Sequence, residues 1–174
     1  MKEYKFKGRV WTITEADNRL VPDVDTDQIF HNKYLHITEI SEMGQYAFDN
    51  LDGWKDFSEK AQPGDIIIAG SNFGAGSSRQ QAVDCFTALG VNVIVAVSYG
   101  AIYKRNAINS GFPILIFDEA EKAVKEGKIK NLANIEVDLL EGKLINLDTG
   151  ESFGLTPFSK VQKDIYDNDT LLKI

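Results

Sequence analysis

The feature that most constrains the fold is an alternation of apolar and amphipathic segments between residues 65 and 117. Three short apolar segments predict buried strands, at residues 65–69, 91–98 and 112–117. Between them, residues 79–89 carry apolar positions at the i, i+3, i+4, i+7 spacing of one helix face, and residues 101–110 predict a second short helix. Strands that alternate with helices in this way pair in parallel through right-handed crossovers.

The flanking sequence adds β structure on both sides of this α/β core. Residues 4–14 predict a strand, with Gly8 as a candidate for a bulge or turn, and residues 134–153 predict a hairpin that precedes a last helix. Residues 15–62 have weak periodicity and predict a long loop with short helical turns. Such a segment is more often functional than idle, although a floppy insertion is the alternative. We therefore expect one α/β domain over residues 1–174, with a parallel core and flanking β segments.

Composition limits the partners that this chain can have. Nineteen Lys and Arg residues against 26 Asp and Glu residues give a net charge of −7, whereas a nucleic-acid surface needs a basic patch. No stretch reaches the roughly 18 apolar residues of a membrane span, and the first residues lack the apolar core of a signal peptide. We expect a cytoplasmic protein that binds neither nucleic acid nor membrane, but a small anionic substrate is compatible with this charge.

Cysteine and histidine are too few for a metal site built by this chain alone. Cys85 is the one cysteine, and His31 and His36 are the two histidines. They cannot form an internal disulfide, a thiolate-held cluster or a tetrahedral zinc site. Cys85 lies on the apolar face of the predicted helix and is expected to be buried there. If the protein works with a metal, another chain is expected to hold it.

The junction AGSNFGAGSSRQQ, residues 69–81, is the strongest candidate for a binding site. It lies between a predicted strand and a predicted helix, and ligands of α/β sheets bind at the carboxyl ends of strands. Helix N-termini favour anions, and Gly74 and Gly76 allow the backbone to approach a ligand closely. Arg79 adds a planar cation whose geometry fits a carboxylate. This combination predicts a site for a small organic acid.

Two phosphate-binding motifs fail at this junction. The sequence has no lysine where the Walker motif requires one, and it has Arg79 where the dinucleotide-binding motif requires its third glycine. The plainest alternative is a helix that Ser77 and Ser78 cap, with Gln80 and Gln81 completing capping boxes. A second alternative is a serine held as an alkoxide base by N–H groups and the arginine. A module that binds an anion without catalysis is a third.

GSNFGAGSSRQQA, residues 70–82, resembles the Gly-Ser-Ser-Arg-Glu signature of the aconitase superfamily. Further matches are VDTDQI at 24–29, KYL at 33–35 and RNAINSGFP at 105–113. The chain is most similar to the separate small subunits of 3-isopropylmalate dehydratase and homoaconitase. The resemblance implies a swivelling β/β/α domain that pairs with a large subunit carrying a four-iron, four-sulfur cluster. It also implies a hydro-lyase, active only as that pair, that dehydrates and rehydrates a 2-hydroxy acid.

The resemblance also implies roles for individual residues. Ser77 is the base that removes the Cα proton, while Ser78 and Arg79 bind a substrate carboxylate. Asp27 corresponds to an aspartate that faces the active site. The sequence departs from the family at Ala75 and Ala101, where relatives have Cys and often Arg, and at positions 80–81, where they have Glu-His.

By the same resemblance, the loop FHNKYLHITEISEMG reads the variable side chain of the substrate. Its expected contacts are Tyr34, Leu35 and His36. Leu35 and Ile37 are candidates to meet an alkyl group, and His36 or Lys33 to meet a polar one. The loop has no arginine for a second distal carboxylate. Isopropylmalate is therefore the first choice of substrate, 2-methylmalate or 2,3-dimethylmalate the second, and homoaconitate the third.

Overall fold

A computed structural model describes residues 2–171 of the chain. These residues contain seven strands: β1 (Lys5–Thr12), β2 (Ile66–Ala69), β3 (Val93–Ala96), β4 (Ile114–Ile116), β5 (Asn134–Asp138), β6 (Lys143–Asn146) and β7 (Ser152–Gly154). They form one sheet in the order β4-β3-β2-β1-β5-β6-β7. Strands β1 to β4 pair in parallel, and β5 to β7 extend the sheet in antiparallel fashion. The predicted α/β fold, with a parallel core and flanking β segments, is confirmed.

In the described part of the chain, six α-helices connect and flank the strands. They are α1 (Thr26–Ile29), α2 (Phe57–Lys60), α3 (Gln81–Leu89), α4 (Ala101–Asn109), α5 (Ala120–Lys125) and α6 (Lys160–Asp167). Three 3₁₀ turns lie between α1 and α2, at Asn32–Tyr34, Ile40–Glu42 and Gly44–Tyr46. Gly90 ends α3 in the left-handed conformation, with φ +77°, as the sequence indicates. No helix within residues 2–171 is long and apolar enough to cross a bilayer.

The parallel strands are buried on both faces, which is why their sequences read as continuous apolar runs. In β2, Ile67 packs into one hydrophobic cluster with α3 and α4, while Ile66 and Ile68 pack into another with α5. All four residues of β2 and all four of β3 are buried. Burial of each such isoleucine contributes about 1.5–3 kcal/mol, so the two clusters hold the core strands firmly in place.

Gly8 does not form the bulge or turn that the sequence left open. It pairs with Ile135 in an unbroken antiparallel register between β1 and β5. A Cβ on Gly8 would lie 2.0 Å from the carbonyl oxygen of Gly64. The glycine therefore allows the loop before β2 to cross β1 closely, which is a tertiary requirement rather than a local one.

The irregular segment between β1 and β2 is packed rather than floppy. Phe48 and Phe57 are fully buried and contact Phe86 of α3 with their rings. Tyr34 and Tyr46 stack with their ring centroids 3.8 Å apart. These aromatic contacts dock the segment on α3, so its loops have defined positions beside the carboxyl end of β2.

Candidate functional site

The glycine-rich loop after β2 is tied to the segment that contains α1. The backbone N–H of Gly74 donates to the carbonyl of Val24 at 2.7 Å, and that of Thr26 donates to the carbonyl of Ala75 at 2.9 Å. The Thr26 hydroxyl donates to the carbonyl of Ser77 at 3.0 Å. Two motifs about fifty residues apart in the chain are thereby joined at one edge of the sheet.

Gly74 has no room for a side chain. Its φ is +81°, and a Cβ would lie 2.2 Å from Cγ of the buried Tyr103 ring. Gly150 has nearly the same φ, +82°, but a Cβ there would meet nothing within 4 Å. Substituting each glycine with alanine therefore separates the cost of backbone strain, which both positions share, from the cost of steric overlap, which only Gly74 has.

We expect Gly74→Ala to lower the free energy of unfolding by about 3 kcal/mol or more, because strain and overlap add. Gly150→Ala should lower it by only about 1–2 kcal/mol, the cost of the left-handed conformation alone. Urea denaturation of the two variants measures the difference. Equal losses would show that Tyr103 moves aside without penalty.

Helix α3 begins later than the capping signals indicate. Its first residue is Gln81 and its N-cap is Gln80, which makes no capping hydrogen bond with its side chain. The alternative in which Ser77 and Ser78 cap the helix is therefore wrong. Within residues 2–171, the backbone N–H groups of residues 77–81 have no hydrogen-bond acceptor. Five successive donors are thus available beside the two serines, an arrangement that favours an anion.

Both serine hydroxyls are accessible. Ser77 and Ser78 are exposed, and Ser77 Oγ has no hydrogen-bond partner in the described part of the chain. Ser78 Oγ accepts a hydrogen bond from Asn106 Nδ2 at 3.1 Å. Neither hydroxyl is consumed by the fold, which is the condition for either of them to meet a substrate.

Arg79 is largely buried yet keeps donors free. Its side chain is 9% exposed, and Nη1 donates to Asp27 Oδ1 at 3.1 Å and to the carbonyl of Phe30 at 2.7 Å. Its Nε and Nη2 have no acceptor within residues 2–171. One edge of the guanidinium is therefore anchored, and the other N–H groups are left for a ligand.

Asp27 lies at the centre of the anchoring contacts. Besides Arg79, it accepts from the N–H of Asn32 at 2.8 Å and from Asn50 Nδ2 at 3.1 Å. Burial alone would raise the pKa of the Asp27 carboxyl, but the N–H of Asn32 and the Arg79 guanidinium more than offset this and lower it. Asp27 is therefore an anion at neutral pH whose contacts fix Arg79. Its catalytic role stays a prediction.

The loop predicted to read the substrate lies against the start of α3. Gln81 Nε2 donates to the carbonyl of Leu35 at 3.2 Å, and Leu35 is 39% exposed. His36 is also exposed. Ile37 is buried in the core cluster, so it is not available to contact a substrate alkyl group. That candidate from the sequence is wrong, because the side chain completes the packing of the loop.

Tyr34 braces this loop. Its hydroxyl donates to Asp49 Oδ2 at 2.9 Å, and its ring stacks on Tyr46. The hydrogen bond to Asp49, followed by burial, raises the pKa of the Tyr34 hydroxyl. Tyr34 therefore stays protonated, and its contacts hold the loop in shape. Its contact with the substrate stays a prediction.

The described residues do not fit a metal ion or cluster. Across residues 2–171, no three His, Cys, Asp or Glu side chains converge to hold a metal. Cys85 is fully buried on α3, as expected from its apolar position, and burial raises the pKa of its thiol well above the usual value. A buried, protonated thiol is a poor metal ligand.

With this geometry in place, comparisons with known proteins decide the family. The sequence profile of the aconitase C-terminal domain matches residues 10–120. The chain belongs to the aconitase C-terminal domain family. The resemblance of the glycine-serine-arginine segment to the aconitase superfamily is thus confirmed, and the matched range includes both segments that the site joins.

Relatives of this aconitase-family chain share most of its length. It is 41% identical over 163 residues to the 3-isopropylmalate dehydratase small subunit of Aquifex aeolicus, covering 94% of this chain and 89% of that one. It is 34% identical to small subunit 1 of the same enzyme from Methanopyrus kandleri, covering 97% and 91%. The crystal structure of 3-isopropylmalate dehydratase (leuD) from Methanocaldococcus jannaschii superposes with a TM-score of 0.83 at 29% identity, covering 97% and 92%.

Sequence reasoning missed one polar residue of this aconitase-family site and only partly recognised another. The Nδ2 group of Asn50 donates to both the carboxylate and the backbone carbonyl of Asp27. Asn50 lies in the irregular segment, where no sequence motif marks it. Asn106 belongs to the RNAINSGFP segment that carries part of the family resemblance, although its contact with Ser78 needed the fold. Amide side chains in irregular segments carry little information until their neighbours are known.

Proposed function

We propose that this chain is the small subunit of a hydro-lyase that interconverts 2-isopropylmalate and 3-isopropylmalate, a step of leucine biosynthesis. We further propose that it is one swivelling domain, acts in the cytoplasm and is active only with a large subunit. The observation that carries the proposal is the exposed Ser77 hydroxyl, which has no hydrogen-bond partner among residues 2–171, beside Ser78, Arg79 and five backbone N–H groups that have no acceptor among the same residues. The relatives that bear this activity in their names match over nearly the whole chain.

Ser77 would act as the base. A proton on carbon next to a carboxylate is weakly acidic, so its removal needs a strong base and stabilisation of the developing charge. Free N–H donors at residues 77–81 lower the energy of a serine alkoxide. The alkoxide takes the Cα proton, the C–H electron pair forms a C=C bond, and hydroxide leaves from the neighbouring carbon. Readdition of water with the hydroxyl on the other carbon completes the isomerisation.

Ser78 and Arg79 would bind the substrate carboxylate. The free N–H groups of the guanidinium donate in its plane, which suits the two oxygens of a carboxylate. Asp27 and the carbonyl of Phe30 fix the opposite edge, so the fork is held in place before substrate arrives. Negative charge grows on this carboxylate as the proton leaves, so the same contact stabilises the transition state.

The departing hydroxide needs a Lewis acid, and we propose that a four-iron, four-sulfur cluster of the large subunit supplies it. Residues 2–171 offer no ligand set for that group. This division fits a chain whose own contribution is the base and the carboxylate contacts. The small hydroxy-carboxylate would therefore bind between the two subunits.

The substrate assignment rests on the loop beside α3. Leu35 offers an exposed alkyl surface close to Gln81, and residues 30–44 contain no arginine that could bind a second distal carboxylate. This favours an alkylmalate over homoaconitate. His36 lies next to Leu35 and is exposed, and its contact with substrate is part of the proposal.

A substrate panel tests the proposal. The chain is assembled with its cognate large subunit, with the cluster loaded, and kcat/KM is measured for 2-isopropylmalate, 2-methylmalate, 2,3-dimethylmalate and homoaconitate. We expect 2-isopropylmalate to give the highest value. No turnover of any of them, together with anion binding that survives Ser77→Ala, would instead favour a non-enzymatic anion-binding module.

A further inference from the structure

We infer that Asn106 is a positioning residue that keeps the hydroxyl proton of Ser78 directed at the substrate carboxylate. The inference rests on the proposed function and deepens it. It follows from one contact, Asn106 Nδ2 to Ser78 Oγ at 3.1 Å, which joins α4 to the glycine-rich loop across 28 residues of chain.

The position of Asn106 is fixed by the helix that carries it. Three residues before it on α4, Tyr103 is buried, its hydroxyl donates to the carbonyl of Ala82 at 2.9 Å, and its ring lies directly under Gly74. Residues three apart on a helix lie on the same side. Asn106 therefore faces the loop from a helix that is itself locked to the loop and to α3.

The contact determines which way the Ser78 hydroxyl points. A serine hydroxyl has one proton to donate and two acceptor positions. The amide N–H of Asn106 occupies an acceptor position, and within residues 2–171 the Ser78 proton has no acceptor of its own. The proton is thus left for a ligand, on the exposed side of the loop where Ser78 lies.

The chemistry of the amide matters as much as its position. A carboxylate at residue 106 would accept the Ser78 proton and repel an anionic ligand. An amide donates and carries no charge, so it leaves Ser78 as a donor. Within the described residues, the Ser77 hydroxyl has no hydrogen bond with Asn106, so the effect of Asn106 is confined to one of the two hydroxyls.

The test uses the heteromer with its cognate large subunit and 2-isopropylmalate as substrate. We expect Asn106→Asp to raise KM about tenfold or more, because a hydrogen bond to a charged group is lost. Asn106→Ala should raise KM less, by about threefold. For both variants KM should change more than kcat, because Ser78 already holds the carboxylate in the ground state and Arg79 still stabilises the charge that grows in the transition state.

Asn109→Asp is the matched control. It makes the same chemical change on the same helix, and within residues 2–171 the Asn109 side chain makes no hydrogen bond. Its KM should equal that of the unmodified enzyme. A KM increase common to both aspartate variants, or a fall in kcat without a change in KM for Asn106→Asp, would overturn the inference.

Repeating the Asn106→Ala substitution in a Ser78→Ala variant tests whether Asn106 acts through Ser78 or only supports the fold. In Ser78→Ala, the KM increase caused by Asn106→Ala should disappear, because Asn106 acts through Ser78. A full additional increase would overturn the positioning role.

The failure of the proposed function is recognisable separately. If the unmodified heteromer turns over none of the malates, calorimetric binding of 2-isopropylmalate replaces KM as the measurement. Weaker binding by Asn106→Asp but not Asn109→Asp would then support the inference without the enzyme reaction. No binding by the unmodified protein would overturn both.

Discussion

Replacing Ser77 with alanine is expected to lower kcat of the assembled enzyme by about a thousandfold, the scale of a lost general base. The KM for 2-isopropylmalate should change little, because the carboxylate contacts of Ser78 and Arg79 stay in place. The free energy of unfolding should change by less than about 0.5 kcal/mol, since Ser77 is exposed and its hydroxyl bonds to nothing in residues 2–171. Steady-state kinetics and urea denaturation measure the two effects.

Two further serine variants make this result specific. Ser71→Ala makes the same change earlier in the same loop and should leave kcat and KM unchanged, because its hydroxyl makes no hydrogen bond in the described chain. Ser78→Ala should raise KM more than it lowers kcat. If Ser77→Ala retained more than about a tenth of kcat, another group would have to be the base.

The parallel core could be predicted because its cause is local. Strands buried on both faces need apolar side chains at every position, and helices that cover them need one apolar face. Those patterns fixed the order and type of the elements between residues 65 and 117. The ends were less accurate: the run 91–98 contains β3 at Val93–Ala96, because the pairing partners in β2 and β4 set where a strand stops.

The start of α3 could not be predicted, because its cause is not local. Ser77 and Ser78 are typical capping residues, but Thr26 holds the carbonyl of Ser77 and Asn106 holds the hydroxyl of Ser78. These contacts come from residues 51 and 28 positions away. They keep the serines outside the helix, which begins at Gln81.

The residues of the candidate site were predicted from the family resemblance of short motifs rather than from apolar periodicity. The resemblance identified Asp27 and Arg79 as members of one site, and the fold brings them within 3.1 Å although 52 positions separate them in the chain. What it did not supply was the nature of their contact. In the structure Asp27 anchors one edge of the arginine through a hydrogen bond from Nη1, and the N–H of Asn32 and the guanidinium lower the pKa of its carboxyl.

Arg79→Lys is expected to lower kcat/KM by about a hundredfold or more, with KM raised and kcat reduced. Arg79 contacts Asp27 and Phe30 through one nitrogen and presents other N–H groups to the ligand. A lysine ammonium is a compact point charge, so it cannot bind Asp27 and Phe30 on one side and present a planar pair of N–H donors to the ligand on the other. An unchanged kcat/KM would remove Arg79 from the site. The free energy of unfolding of the same variant should change little, because lysine keeps the positive charge beside Asp27. A loss of activity without a loss of stability would then come from catalysis.

A double-mutant cycle with Asp27→Asn decides what the aspartate does. If Asp27 only holds Arg79, its substitution should lower kcat/KM in the native background, by about tenfold, and have little further effect in Arg79→Lys. If Asp27 acts on the substrate itself, the two losses should multiply. The lowered pKa of the Asp27 carboxyl and the three hydrogen bonds that its carboxylate accepts, from Asn32, Asn50 and Arg79, favour the first outcome. A carboxylate with a lowered pKa that already accepts three hydrogen bonds is a poor proton acceptor, so multiplicative losses would require those contacts to rearrange when substrate binds.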